Sequence, residues 1–145
     1  MTEVITNKVD LQKADVGARL VSYILDLVIL FIIAIVIGLT FGGLFIYGAE
    51  PRVIGIIEII LSFGLLFGYY TYFFGEGQTP GMKWAKIKLC RTDGTYPIGY
   101  VRGFLRCIGM IISSQVFGLG YLWILIDENK QGWHDKIADT YVVKL

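Results

Sequence analysis

Residues 19–40, RLVSYILDLVILFIIAIVIGLT, are a continuous apolar run that admits an arginine at its entrance and an aspartate part-way along. As a helix these 22 residues extend roughly 33 Å, enough to cross a hydrocarbon layer of about 30 Å. A chain with such a run is expected to place it in a bilayer, and the remaining elements must be compatible with that. If the helix enters the apolar layer near Gly17, Arg19 can snorkel to the headgroups, whereas Asp26 lies roughly 13 Å deep. A carboxylate there costs on the order of 2.5–3.5 kcal/mol on insertion scales, so Asp26 should face protein or a wet cavity. It is the leading candidate for a proton or monovalent-cation site, with Arg19 beside it.

Composition agrees with several spans. Of 145 residues, 55% are hydrophobic and 17% charged, with a mean hydropathy of +0.64, and the apolar runs are too long for core helices of a soluble domain. The opening stretch, MTEVITNKVDLQKADVG, is polar and of mixed charge, unlike a signal peptide, so the first span is expected to be retained. Cys90 and Cys107 lack metal-ligand spacing, and no cofactor is expected. A net charge of +1 without a clustered basic face excludes nucleic acid as a natural partner.

Arg19, Ser22, Tyr23 and Asp26 recur at helical spacing and share one face. Ala34, Gly38 and Gly42 form a small-residue stripe suited to close helix contact. Asp15 or the Asp10 region is a candidate cap for this helix. After a Gly- and Pro-bearing turn at 41–52, a second span covers 53–74, with Glu58, Ser62, Leu65, Tyr69 and Tyr72 on one face and Gly64 and Gly68 on another. Run antiparallel, it sets Leu65 level with Asp26 and makes the Ser62 and Tyr69 hydroxyls candidate partners. Glu58 then lies some 9 Å along the axis from Asp26 (roughly, from helical rise), a second station if it does not pair with Arg52.

Thr79, Pro80 and Gly81 supply a cap, a first helical position and a turn. Residues 86–91 then alternate apolar and basic before the Asp93-Gly94 turn, and residues 140–145 form a second short strand; the two are marginal unless they meet. Between them, 97–126 reads as a returning hairpin of helices at 97–114 and 117–126, with Arg102, Arg106, Gly109 and Ser113 on one face; the alternative is one continuous span at 105–126, which would put the C-terminus outside. Arg106 is either a headgroup anchor or a group reaching toward Asp26. Lys8, Lys13 and Arg19 lie in the tail and at the entrance of the first span, Arg52 alone lies in the first turn, and six basic residues lie in 75–106. That bias sets the N-terminus, and with it the C-terminus, in the cytoplasm.

The expected architecture is an all-α membrane protein: two long transmembrane helices plus a returning helical hairpin, with a small cytoplasmic two-stranded β element. Residues 1–16 are a polar tail and 17–145 the membrane domain.

Three blocks in this order, Arg19 with Asp26, then Thr79-Pro80-Gly81 leading to Asp93-Gly94, then Gln131, His134, Asp135, Ala138, Thr140 and Val142, resemble the RDD family of small bacterial membrane proteins. The family is named for an arginine and two aspartates, and Asp135 matches the second aspartate. Met82 departs from the lysine that often follows TPG. The resemblance implies an α-helical domain of the bacterial cytoplasmic membrane, of largely unknown activity and often proposed to act in transport. His134 beside Asp135 lacks a supported nucleophile, so an enzyme is not expected; the pair reads as a structural or gating motif with the TPG turn. Two functions are carried forward: a small transporter or ion-coupled exchanger using Asp26, working as a homo-oligomer, or a non-transporting assembly or interaction module.

Overall fold

Pro51 at the first position of a helix, with Glu50 accepting from Val53 N–H at 3.1 Å, restarts the chain sharply after the first span and sets the two long helices as neighbours. The computed structural model describes residues 12–145, and the elements are α1 (Val16–Ile46), α2 (Pro51–Glu76), α3 (Pro80–Trp84), β1 (Ile87–Arg91), α4 (Tyr100–Gln115), α5 (Leu119–Leu122) with a 3-10 turn (Trp123–Leu125), α6 (Trp133–Ile137) and β2 (Thr140–Lys144). Both α1 and α2 are long and apolar enough to cross a membrane. Their outer parts expose side chains that only lipid or another protein would cover, among them Phe31, Leu39 and Ile60.

Asp15 stands at the N-cap of α1 without a side-chain capping bond; its carboxylate pairs instead with Lys144 at 2.7 Å. Asp10, the other expected cap, and most of the expected tail lie outside the described residues. Thr79 does cap α3, accepting from Met82 N–H at 3.1 Å, with Pro80 in the first turn.

The two short strands meet. β1 and β2 pair antiparallel, Ile87 opposite Lys144 and Arg91 opposite Thr140, and Lys13 adds a bridge to Val143. The core gathers at this sheet end, where Phe74, Met82, Leu89, Ile98 and Val142 are buried. Each such side chain contributes roughly 1.5–3 kcal/mol on removal from water.

The segment expected as a hairpin is a bent pair: α4 and the α5/3-10 arm meet at 110°. Gly99, at φ +88°, precedes α4, so that helix begins at Tyr100 and not at Pro97. The close helix contacts fall at glycines other than the expected stripes. A Cβ on Gly103 would sit 2.6 Å from Thr71 O and 2.8 Å from Gly75 N, so α2 and α4 cross backbone to backbone. A Cβ on Gly38, Gly42, Gly64 or Gly68 meets nothing within 4 Å. Beyond the sheet end α1 and α2 are instead separated by an apolar cleft of about 560 Å3.

Candidate functional site

The buried polar residues of α1 recur every three to four positions, so Arg19, Ser22 and Asp26 face inward together while Leu20, Ile24 and Leu27 face out. Two separate polar centres are built on this face.

The first surrounds Asp26, whose side chain is fully buried. Tyr69 Oη donates to Oδ1 at 2.9 Å, Gly81 N–H donates to the same oxygen at 2.9 Å, and Thr79 Oγ1 donates to Oδ2 at 2.5 Å. The TPG turn therefore packs directly onto the aspartate of the first span. Only glycine permits this, because a Cβ at position 81 would lie 2.2 Å from Ser22 O and 2.9 Å from Asp26 Oδ1. Of the three groups facing its oxygens, the Gly81 N–H can only donate, whereas the two hydroxyls can donate or accept.

Tyr69 is thus the partner anticipated on α2, and Ser62 is not: it lines the apolar cleft with Leu65 and Ala34. The level also shifts. Asp26 is opposite Tyr69, one turn or roughly 6 Å nearer the sheet end than Leu65. Glu58, half-buried on α2, is consequently roughly 16 Å along the axis from Tyr69, too far to be the next station.

The second centre surrounds Asp135. Its Oδ2 accepts from Arg19 Nη1 at 2.7 Å and from Gly132 N–H at 2.9 Å, while its Oδ1 pairs with Arg106 Nη1. All three charged side chains are buried, at 2% exposure or less. Arg106 also donates to Thr140 Oγ1 at 3.0 Å and lays its guanidinium over the Phe74 ring at 5.1 Å. It neither reaches Asp26 nor anchors at a headgroup; Arg102, at the rim, makes the surface pair with Asp139 at 3.9 Å.

The tail block completes this centre. Gln131 Nε2 donates to Thr140 O at 2.9 Å, and Ala138 and Val142 are buried behind it. The His134 ring is fully buried, with Nε2 3.1 Å from Tyr23 Oη, and a Cβ on Gly109 would lie 2.7 Å from its Cα. Burial drives the His134 ring down to about 3, so it is neutral at ordinary pH. Burial alone would raise the Asp135 carboxyl, but the charges of Arg106 and Arg19 and the Gly132 N–H outweigh it and hold it well below the usual carboxylate range.

Thr140 and Gly132 are site residues that spacing alone did not mark, since a threonine opening a strand and a glycine before a short helix have many ordinary uses. The block Gln131 to Val142 named Thr140 without a role and passed over Gly132.

One family model matches the chain, that of the RDD family, over residues 13–139, most of its length. No curated protein and no solved structure matches.

Proposed function

We propose that this chain, which belongs to the RDD family, is an integral membrane protein whose buried charges fasten its spans to the sheet-bearing layer, and that it serves as a membrane assembly module. Asp26 holds α2 and the TPG turn on α1, and Asp135 holds α1 and α4 on α6. The observation that carries the reading is that both carboxylates are fully buried and take their donors from elements remote in sequence. A cation site needs free acceptor oxygens. Three of the roughly four lone-pair sites of Asp26 already take donors, which leaves one on Oδ2, and the Gly81 N–H cannot reverse its role.

A second reading, proton-coupled transport at Asp26, is favoured by one feature: two of its donors, Tyr69 and Thr79, are hydroxyls able to donate or accept. Uptake of a proton by Asp26 with reversal of these hydroxyls is stereochemically open. The test is full-length protein and Asp26→Asn in liposomes enclosing a pH-sensitive dye, under Na⁺, K⁺ or Li⁺ gradients. A silent wild type with an Asp26→Asn protein that unfolds more readily supports the module. A cation-dependent pH change in wild type, abolished in a folded Asp26→Asn protein, overturns it in favour of the exchanger.

The same reading places both termini in the cytoplasm and the working unit as a homo-oligomer. Strand pairing ties Lys13 and Val143 to one end of the helices, and Lys83, Lys86, Lys88 and Arg91 lie between α2 and α4 near that pairing. With Cys90 and Cys107 replaced, an impermeant thiol reagent applied to intact cells should label Glu50→Cys and spare Lys144→Cys. Labelling of both positions would contradict the arrangement.

A further inference from the structure

Arg19 is only half used. Nη1 bonds Asp135, but Nε and Nη2, both buried, have no hydrogen-bond partner among the described residues. These two nitrogens form the side-on edge of the guanidinium, the fork with which arginine takes two oxygens of a carboxylate or phosphate at once. Arg106 also has an Nε and Nη2 without a geometric hydrogen bond, but its guanidinium face rests on Phe74, Tyr23 lies against it, and its Nη1 serves both Asp135 and Thr140.

The local charge is also unbalanced. One carboxylate, Asp135, sits between two guanidiniums, and His134 is neutral. The other carboxyl group on this face of α1, Asp26, lies two helical turns from Arg19, roughly 10 Å along the axis, and is committed to its own three donors. A buried cation with two unpaired nitrogens calls for an acceptor.

Arg19 lines a pocket of about 490 Å3, a volume typical of ligand sites. On α1 the pocket runs from Val16 to Leu27, roughly 16 Å along the axis, with Arg19 near one end and apolar wall beyond it. Met110 and Tyr121 close the far side. Three lining residues, Leu20, Leu27 and Leu122, are more than half exposed, at 57%, 57% and 54%. The mouth therefore opens through an apolar surface, which in a bilayer faces acyl chains.

From this geometry we infer that the pocket between α1, α4 and α5 binds one anionic phospholipid, its phosphate taken by the Nε/Nη2 edge of Arg19 once that closed-off edge turns toward the pocket, and one acyl chain along α1 toward Leu27. The head then lies at the end of the helix nearer the sheet and the chain points inward, the orientation of a lipid in that leaflet. The second chain remains in the bilayer. Such a lipid supplies the missing acceptor and the balancing charge together. The inference rests on the membrane placement of the chain and is independent of whether Asp26 carries protons.

The experiment uses the full chain in nanodiscs of neutral phosphatidylcholine doped with a phosphatidylglycerol bearing a photoactivatable diazirine on one acyl chain. The same chain on phosphatidylcholine and as a free fatty acid gives the comparison arms. After illumination, peptide mass spectrometry should find phosphatidylglycerol on residues 20–27 and around Leu122, at least about tenfold above the phosphatidylcholine probe. Leu122→Trp, at an exposed rim position, should remove that labelling without lowering the unfolding temperature. Arg19→Lys retains the charge but lacks the fork, and should reduce the preference about tenfold. Equal labelling by the two phospholipids, labelling confined to other surfaces, or labelling by the fatty acid alone would overturn the assignment.

Discussion

Arg19, in the first turn of α1, donates from Nη1 to Asp135 Oδ2 at 2.7 Å across 116 residues of chain. Arg106 takes the other oxygen, so a single buried carboxylate pairs with guanidiniums from two helices. Removing the carboxylate leaves both cations buried without it. Asp135→Asn should destabilise the protein by about 3–5 kcal/mol. Replacing all three residues with apolar ones of similar volume should recover much of that loss, because an apolar cluster carries no desolvation cost. Chemical denaturation in detergent micelles measures both; an Asp135→Asn protein as stable as wild type would remove the clasp from this account.

Acid should act first through His134. The native ring titrates near 3, whereas the unfolded chain takes up its proton near the ordinary value of about 6.5. Between those values the unfolded state binds more protons, so stability falls as pH drops through that window. Asp135, held below the usual range, adds its own loss only below about pH 4. The unfolding temperature should therefore decline between about pH 6.5 and 4.5, and His134→Gln should flatten that interval. A variant with the same slope as wild type would assign the acid sensitivity to other groups.

Asp26→Asn should be milder than Asp135→Asn. Asparagine keeps one oxygen for Tyr69 and Gly81 and turns its amide toward Thr79, whose hydroxyl can accept. The expected cost is about 1–3 kcal/mol. Thr79→Val removes both the donor to Asp26 and the cap of α3, and should cost about the same or more. If Asp26→Asn proves the more damaging of the two aspartate variants, the ranking of the centres is wrong.

Glycine substitutions should divide by place. Gly81→Ala and Gly103→Ala drive a Cβ against backbone and should each cost several kcal/mol, beyond the roughly 1–3 typical of overpacking. Gly64→Ala and Gly68→Ala enter open space and should leave the fold of one chain intact, with the small gain in helix propensity that alanine brings. Thermal unfolding and size-exclusion profiles of the four variants decide the matter.

Much of this could be read from the residues. The two spans, the short strands and the inward face of Arg19, Ser22 and Asp26 follow from periodicity, which local geometry obeys. Tyr69 as a partner followed from the same pattern, although its level was misplaced by a turn. Where Arg106 points could not be read, because the choice between Asp26 and Asp135 depends on how α4 crosses α2. That crossing is set by Gly75 and Gly103, which do not stand in a four-residue stripe within one helix. The glycines that do form stripes face outward, where a small residue is needed for nothing inside the chain.

The long reach of the clasp orders events during synthesis. Arg19 enters the membrane region 116 residues before its partner exists, an interval of roughly 6–23 s at about 5–20 residues per second. Asp26 waits for a shorter stretch, since Thr79 follows by 53 residues. The nascent α1 thus meets its two polar creditors in sequence, α2 with the TPG turn first and α6 afterwards. Until the second arrives, the translocon or surrounding lipid headgroups must shelter the arginine, and the final packing of α4 is deferred to the last stretch of translation.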